Sequence, residues 1–305
     1  MNRVVVLGSL NTDIVITTNR LPEIGETIIG ENINYMIGGK GANQAVAASR
    51  FGGEVTMLGK LGDDTFGQKV LKHLAEENLD LTYLDVEKNM FTGIASIFKL
   101  PTDNCITVVP GANELVSEDY IDSVASIIEE SQVLLTQLEI PVKSVKKGLI
   151  LAKEKGVKTI LNPAPFVPEV VELIQWVDYI TPNETEFMSI CGQKFADDSE
   201  LEQAMVSWSQ AHKETQLIVT RGELGTSFVH SGEVVTVKSI SVEVVDTTGA
   251  GDTFNGILAV ELSKGTRLDL AIKRAGIGAS LSVQKLGAQT GMPSETEINQ
   301  RMNQK

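Results

Sequence analysis

The 305-residue chain has few of the residues that build disulfides, zinc sites or histidine-based catalysis. Its two cysteines, Cys105 and Cys191, form no C-x-x-C pair, so neither a disulfide framework nor a thiolate zinc site is expected. Three histidines are scattered outside every motif described below: His73, His212 and His230. Their positions argue against histidine catalysis and predict side chains that are solvated or at the edge of the core.

The chain also lacks an excess of basic residues and a long apolar run. Its formal net charge of −14 argues against duplex nucleic acid or an anionic membrane surface as a partner, because both select for basic patches. No apolar stretch reaches the ~18 residues of a membrane-spanning helix. The start, MNRVVVLGSL, is typical of a buried strand rather than of a signal peptide. We therefore expect a cytoplasmic protein.

Apolar runs of strand length alternate with segments of helical periodicity. The runs are VVVLGSL, VTMLGKLG, VLLTQLE, KTILNPAP, YITPN and QLIVTRG, and a predicted hairpin, TSFVHSGEVVTVKS, follows the last of them. Strands that are apolar throughout and separated by helices are typical of a parallel sheet that is covered on both faces. The predicted fold class is therefore α/β, with a doubly wound, mainly parallel sheet and helices on both faces.

Residues 14–37 and 91–109 interrupt this alternation and are predicted to form a small β-sheet lid of antiparallel strands. The predicted α/β body is then residues 1–13, 38–90 and 110–305. Several lid residues are too apolar to leave in water on a small sheet: Ile14, Ile16, Ile28, Tyr35, Ile94, Ile97 and Phe98. We expect two lids to pack together in a symmetric homodimer, with Ile28 and Ile97 on the outward face.

The stretch DTTGAGDTFNG, residues 246–256, is a glycine-rich turn before a predicted helix. If Gly249, Ala250 and Gly251 open that helix, their N–H groups can bind an anion, and the small residues let a phosphate approach closely. Asp252 would then stand where a base that takes a proton from an attacking hydroxyl is needed. The alternative is an ordinary acidic residue in the first turn of a capped helix.

A second glycine-rich turn, IGGKGANQAVAASRFG, spans residues 37–52. It lacks the G-K-[ST] of a P-loop, and Gln44 stands where the dinucleotide motif requires its third glycine. The turn could still approach a small polyhydroxylated ligand through Gly38, Gly39, Lys40, Gly41 and Asn43. The alternative is a tight strand-to-helix turn with no ligand.

Polar residues close several of the predicted strands. The segment GSLNTD places Asn11 and Asp13 on one face at the end of the first strand, where open parallel sheets have their ligand crevice. A carboxylate and an amide together suit sugar hydroxyls. Other strand ends carry Glu139, Asn162, Asn183, Glu184 and Glu186. An acidic cluster without histidine or cysteine suits Mg²⁺.

Four blocks, GGKGANQAVAA, NPAP, TPNETE and DTTGAGDTFNG, occur in an order and spacing that resemble the ribokinase (PfkB-type) carbohydrate kinase family over essentially the whole chain. The resemblance implies transfer of the γ-phosphoryl of ATP to the 5-hydroxyl of D-ribose, with Mg²⁺ and with K⁺ as a monovalent activator. It implies that Asp252 is the catalytic base and that the amides of residues 249–251 form the anion hole. It also implies a homodimer formed through the lid.

The resemblance further implies a role for individual residues. The sugar would be held by Asn11, Thr12, Asp13, Gly39, Lys40, Gly41, Ala42, Asn43, Glu139 and Asp252. ATP would be met by Asn183, Thr220, Arg221, Gly222, Glu223, Leu224, Gly225, Gly251, Asp252 and Gly276, with Glu186 on the Mg²⁺ side. The positions that match the K⁺ site are Asp246, Thr248, Ser282, Lys285, Gly287 and Gly291.

Two positions depart from the family pattern. Gly291 falls where related sequences often have serine, so a hydroxyl ligand to the cation is lost and only a carbonyl can replace it. Gly276 falls where the neighbour of the adenine is often larger and polar, and it offers only backbone. Neither position takes part in the phosphoryl chemistry.

Other functions stay open beside ribose phosphorylation. A related kinase could act on deoxyribose, a nucleoside or another small sugar. Asn11 discriminates here, since an amide that reaches a 2-hydroxyl gains nothing from deoxyribose. A nucleoside kinase would need an aromatic lid, for which Tyr35, Phe91 and Phe98 are not decisive. A non-catalytic sugar sensor that kept the fold is the alternative from a different class.

Overall fold

The computed structural model describes residues 2–303. In chain order the strands are β1 (Arg3–Leu7), β2 (Asn11–Thr17), β3 (Asn32–Gly38), β4 (Glu54–Gly62), β5 (Leu84–Glu87), β6 (Gly93–Lys99), β7 (Asn104–Val109), β8 (Val133–Thr136), β9 (Lys158–Leu161), β10 (Tyr179–Ile180), β11 (Gln216–Thr220), β12 (Thr226–His230) and β13 (Glu233–Val237). The α-helices are α1 (Lys40–Arg50), α2 (Thr65–Glu76), α3 (Glu118–Ser123), α4 (Ala125–Glu129), α5 (Val142–Glu154), α6 (Val170–Leu173), α7 (Glu184–Cys191), α8 (Asp198–Ala211), α9 (Ala250–Ser263), α10 (Leu268–Ser282) and α11 (Glu295–Asn303).

A nine-stranded sheet runs through the described residues in the order β13-β12-β11-β10-β9-β8-β1-β4-β5. The strands from β11 to β5 pair in parallel, and the predicted hairpin, β12 and β13, adds an antiparallel edge. In β1, Val4 and Val6 enter a core that contains residues of α1 and α9, whereas Val5 and Leu7 enter a second core that contains residues of α5. Both faces of the strand are buried, which explains its unbroken apolar sequence. The predicted α/β fold class is confirmed.

The parallel pairing brings several strand ends to one edge of this sheet. β1 ends before Gly8, β8 before Gln137, β9 before Asn162 and β10 before Thr181. Because the carboxyl ends of parallel strands share an edge, the polar residues after them can converge on one crevice. Within residues 2–303, no helix is both long and apolar enough to cross a membrane.

A separate four-stranded sheet has the order β3-β2-β6-β7. Its outer pairs, β2–β3 and β6–β7, are antiparallel as expected, but the central pair, β2–β6, is parallel. The expectation of antiparallel strands throughout is therefore wrong at the centre, because β2 and β6 start side by side, with Asn11 opposite Gly93. Asn11 and Asp13 thus belong to the start of β2 rather than to the end of β1, which stops at Leu7. The division of the chain into body and lid remains a prediction.

The two faces of the small sheet differ in what they meet. Val15, Met36 and Ile97 line a cavity of about 260 Å³ together with Asp246 and Thr248 of the main body. The strand register places a mostly apolar set on the opposite, outer face: Ile14, Ile16, Ile33, Tyr35, Ile94 and Phe98. The expectation that Ile97 points outward is therefore wrong, and Ile28 lies in the connection between β2 and β3 rather than in a strand.

Candidate active site

Glycines bring the start of α1 against the end of β1. Gly39 has φ of 87°, a conformation that favours glycine, and a Cβ there would lie 2.7 Å from the Asn11 nitrogen. A Cβ at Gly41 would lie 2.6 Å from the Gly8 carbonyl carbon. The close approach lets the backbone N–H of Lys40 donate to Glu139 Oε2 at 3.0 Å. The glycine-rich turn therefore joins three predicted sugar-site segments.

The start of α9 lies beside this turn. Its N-cap, Gly249, is left-handed with φ of 79°, and a Cβ there would lie 2.6 Å from the Ala288 carbonyl oxygen. No side chain caps the helix, and a Cβ at Gly251 would meet no other described segment within 4 Å. The N–H of Ala250 donates to Thr247 O at 3.2 Å. The helix start therefore opens onto free space at Gly251, whereas the Ala250 N–H already has a partner, and the anion hole itself remains a prediction.

Asp252 is buried at the first turn of α9, with an exposed fraction of only 7%. Asn43 Nδ2 donates to its Oδ2 at 2.9 Å, and Gln44 Nε2 donates to its Oδ1 at 3.0 Å. Burial raises the pKa of this carboxyl, against the lowering effects of Lys40 and the two amides. A buried carboxylate with a raised pKa is suited to act as a general base.

Charged side chains surround Asp252. Burial, followed by repulsion from Glu139 and Asp252, raises the pKa of Asp13 to about 7, and Lys40 opposes this increase. Burial disfavours the charged form of Lys40, but the surrounding carboxylates outweigh it and raise the pKa of its ammonium group. Burial also raises the pKa of Glu186. Because these groups affect one another electrostatically, they form one cluster of five charged side chains: Asp13, Lys40, Glu139, Glu186 and Asp252.

The predicted sugar residues fall into two groups. Asn11 is buried, and its Oδ1 accepts from Asn113 Nδ2 at 2.7 Å, which leaves the Asn11 amide N–H groups for a ligand. Thr12 lies on the opposite face of β2 from Asn11 and Asp13, and Ala42 packs in the core. The side chains of Thr12 and Ala42 therefore do not join the cluster.

The predicted ATP residues lie at the ends of β10 and β11. Asn183 caps α7 in a reciprocal box with Glu186, each accepting a backbone N–H from the other at 2.8 Å. The backbone of Asn183 also forms an isolated parallel β-bridge with Thr220. The Arg221 side chain is buried and engaged, with Nε 2.9 Å from Glu184 Oε1 and Nη2 2.6 Å from Asp198 Oδ1.

The remaining predicted ATP positions offer mainly backbone. Gly225 has φ of 103°, and a Cβ there would lie 2.1 Å from the Val237 carbonyl oxygen, so glycine is required. Gly222 is also left-handed, Glu223 and Leu224 are exposed, and Gly276 lies on α10 with open space where a side chain would be. The structure therefore presents a surface of backbone groups here rather than a set of cationic side chains.

Comparisons with known proteins identify the family of the chain. The sequence signature described as pfkB family carbohydrate kinase matches residues 1–295. The chain belongs to this family. A ribokinase of Lactococcus lactis is 40% identical over 306 residues, covering 100% of this chain and 98% of the relative. A deoxyribokinase of Salmonella typhi is 32% identical over 302 residues, with 98% of each protein covered.

Among solved structures, Arabidopsis thaliana ribokinase complexed with ribose and ATP matches with a TM-score of 0.89 at 31% identity, and 98% of each chain is covered. The predicted resemblance to the pfkB family is therefore confirmed, and so is the prediction that the chain is a carbohydrate kinase.

The predicted K⁺ positions of this carbohydrate kinase are partly brought together. Asp246 Oδ1 accepts from the Thr248 backbone N–H at 2.9 Å, and Asp246 Oδ2 accepts from the Gly287 N–H at 2.8 Å. A Cβ at Gly291 would lie 1.9 Å from the Ser282 carbonyl oxygen, so this close approach requires glycine. Lys285 is exposed. No cluster of three or more His, Cys, Asp or Glu side chains in the described part of the chain could hold a metal ion.

Sequence reasoning missed several buried amides and a hydroxyl around the cluster. Gln137 Nε2 donates to Gln44 Oε1 at 2.6 Å, and Gln289 Nε2 donates to Asn43 Oδ1 at 2.9 Å. Ser9 Oγ donates to Glu139 Oε2 at 2.5 Å. The only available signal was the polar character of residues that follow buried strands or glycine-rich turns.

A larger cavity, of about 520 Å³, lies at the opposite edge of the main sheet. It is lined near the amino ends of β9, β10 and β11 by residues such as Lys158, Tyr179 and Gln216. It contains none of the predicted site residues. The candidate active site of this pfkB-family member therefore remains the predicted one at the carboxyl edge, around Asp252.

Proposed function

We propose that the chain is a ribokinase, which transfers the γ-phosphoryl of ATP to O5 of D-ribose and yields D-ribose 5-phosphate and ADP. The observation that carries the proposal is the buried Asp252 carboxylate between the start of α9 and the polar cluster around Asn43. Two relatives support the substrates: the Lactococcus lactis protein named ribokinase, and the Arabidopsis thaliana ribokinase whose structure contains ribose and ATP.

In the proposed reaction, Asp252 takes the proton as the O–H bond of the sugar hydroxyl breaks. The hydroxyl oxygen bonds to the γ-phosphorus, and the bond from that phosphorus to the β,γ-bridging oxygen breaks, which releases ADP. The N–H groups and the dipole at the start of α9 stabilise the negative charge of the phosphoryl group. The residues proposed to orient the sugar are Asn11, Asp13, Gly39, Lys40, Asn43 and Glu139.

The residues present fit the two cations that the family implies. Mg²⁺ prefers oxygen ligands, and Glu186 offers a carboxylate of which one oxygen accepts the Asn183 N–H. Bound with ATP, Mg²⁺ would neutralise phosphate charge. For K⁺, we propose the Asp246 carboxylate with backbone oxygens of the neighbouring loops, including Ser282 next to Gly291. Since ATP is the phosphoryl donor, we propose the cytoplasm as the compartment.

The substrate assignment is tested with a panel of sugars and nucleosides, ATP and Mg²⁺, with and without K⁺. We expect D-ribose to give the highest kcat/KM. Turnover of a nucleoside above that of ribose would contradict the assignment. Sugar binding without any turnover would favour a non-catalytic sensor instead.

Asn11 provides a test of ribose against 2-deoxyribose, the substrate class named by the Salmonella typhi relative. If the Asn11 amide donates to the 2-hydroxyl, the ribose preference rests on a hydrogen bond worth about 1–3 kcal/mol, or roughly 5- to 150-fold. Asn11→Ala should lower kcat/KM for ribose and leave that for 2-deoxyribose within about threefold, since only ribose has this hydroxyl. Equal losses on both sugars would contradict the proposed contact.

We propose that the outer face of the small sheet forms a homodimer. Ile16 pairs with Ile33 on one side and with Phe98 on the other, which makes an apolar strip across three strands. Ile33 is 48% exposed and Tyr35 is 56% exposed in the single chain. An isolated small sheet cannot bury both of its faces, and a second copy of the same face would cover this strip.

Ile33→Asp is therefore expected to give monomers with weakened sugar affinity, because the charge would be buried between two lids. Val171→Asp is the matched control, since Val171 is 56% exposed but lies on α6 of the main body. Sedimentation at micromolar concentration, followed by sugar titration, measures both effects. A wild-type chain that sediments as a fully active monomer would contradict the proposed dimer.

A further inference from the structure

A chain of hydrogen bonds leads from the surface of α2 to the carboxylate of Asp252. His73 Nε2 lies 2.8 Å from Gln289 Oε1, and Gln289 Nε2 donates to Asn43 Oδ1 at 2.9 Å. Asn43 Nδ2 in turn donates to Asp252 Oδ2 at 2.9 Å. The imidazole of His73 is partly exposed, whereas the other three side chains are buried. Four separate elements of the fold are therefore connected at the reacting carboxylate.

The chemistry of the groups fixes the direction of this chain. An ionised carboxylate only accepts hydrogen bonds, so Asn43 must turn its NH₂ group toward Asp252 and its Oδ1 toward Gln289. Gln289 must then turn its NH₂ group toward Asn43 and its Oε1 toward His73. His73 can satisfy that oxygen only if Nε2 carries a proton. Each amide therefore has a single orientation, and His73 a single site for its proton, that satisfies the next group in the chain.

Gln289 is held at its backbone as well as at its side chain. It lies in the turn between α10 and α11, and its carbonyl oxygen accepts from Arg50 Nη1. Arg50 Nε donates to Glu77 Oε2 at 2.8 Å, and Glu77 Oε1 lies 3.7 Å from His73 Nε2. The glutamine is therefore fixed from two directions, which suits a residue that sets the orientation of a neighbour.

We propose that Gln289 is a positioning residue for the phosphoryl-transfer reaction, and that His73 positions Gln289. Without the Gln289 donor, Asn43 Oδ1 loses its buried hydrogen-bond partner, and the Asn43 amide is held only by its bond to Asp252. The amide can then tilt, and the Asp252 side chain loses the orientation needed to accept the sugar proton. This inference rests on the proposed role of Asp252 as the base.

Gln289→Met tests the proposal, because methionine has a similar length and no amide. We expect kcat to fall by about tenfold or more and the ATP KM to stay within about twofold, since the change acts at the base and not at ATP. The control is Gln284→Met, because Gln284 is an exposed glutamine in the same turn. Wild-type kcat in Gln289→Met would overturn the proposal.

His73 gives a second test that does not require a buried substitution. Glutamine places an N–H donor close to the position of Nε2, whereas asparagine is too short to reach Gln289. His73→Gln should retain most of kcat, and His73→Asn should lose about threefold or more. Adding His73→Asn to Gln289→Met should cost nothing further, because both act through one chain. Equal kcat values for His73→Gln and His73→Asn would contradict the role of His73.

A measurement without substrates separates this inference from the proposed function. The ¹⁵N shifts of the His73 imidazole should show a proton fixed on Nε2 in the wild-type protein and a mixture of tautomers in Gln289→Met. If the wild-type chain phosphorylates no sugar, the proposed function fails whatever the imidazole shows. If it is active and neutral His73 is protonated on Nδ1, the inference fails alone.

Discussion

Asp252→Asn is expected to lower kcat by about 10²–10⁴-fold and to leave sugar binding nearly unchanged. The amide has the size of the carboxyl group but cannot accept the proton of the attacking hydroxyl. It also has one acceptor oxygen for two donors, Asn43 Nδ2 and Gln44 Nε2, which lie 2.9 and 3.0 Å from the native carboxylate oxygens. The loss should therefore appear in the chemical step.

The pH dependence of kcat supplies an independent readout for the same variant. Burial raises the pKa of Asp252, so the wild-type kcat should fall as pH is lowered through a value above the ordinary range of a carboxyl group. The activity that remains in Asp252→Asn should lack this acidic limb. Sugar binding is measured by calorimetry, and Asp269→Asn, at an exposed carboxylate of α10, is the control. Retention of most of kcat in Asp252→Asn would exclude Asp252 as the base.

The main sheet could be predicted because a strand that is buried on both faces has an uninterrupted run of apolar residues. β1 is apolar throughout since Val4 and Val5 enter cores on opposite faces. The small sheet could be predicted only in outline. Alternation in β6 shows that Ile97 and Phe98 face opposite ways, but which of them faces the main body depends on distant partners. The parallel pairing of β2 with β6 likewise has no local signal.

The candidate site shows the same division. The turn around Gly39 and the start of α9 at Gly249 could be predicted, because glycine is the residue that allows both a positive φ and a close approach of neighbouring backbone. The engagement of Arg221 with Glu184 and Asp198 could not be predicted, and neither could the contact of Gln289 with Asn43, 246 positions away. Such pairs depend on how distant segments pack, which single-sequence patterns do not contain.

Asp13→Ala is expected to raise the sugar KM by about 10²-fold and to change the ATP KM by less than about twofold. The Asp13 side chain shares a face of β2 with Asn11, and its charge interacts with Glu139, Asp252 and Lys40 in the predicted sugar site. A hydrogen bond from a sugar hydroxyl to a carboxylate is worth about 1.5–3 kcal/mol, or roughly 10- to 150-fold, a range that contains the expected change in KM. Equal increases in both KM values would contradict the sugar site at this strand.

The raised pKa of Asp13 connects sugar binding with stability. The pKa rises from 3.8 to about 7, so the accepting carboxylate forms only as pH increases through neutrality. The wild-type sugar KM should therefore fall between about pH 6 and 8, and Asp13→Ala should remove this change.

The raised pKa of Asp13 has the opposite effect on folding, because rising pH favours sugar binding but lowers stability. The stability linked to this group is present below pH 3.8 and is lost as pH rises through about 7. Asp13→Asn should thus stabilise the protein by about 2 kcal/mol at pH 8 and by less at pH 5, as thermal unfolding would measure. An Asp13→Asn variant that is less stable than wild type at pH 8 would contradict this expectation, because it would show that the Asp13 carboxylate stabilises the fold.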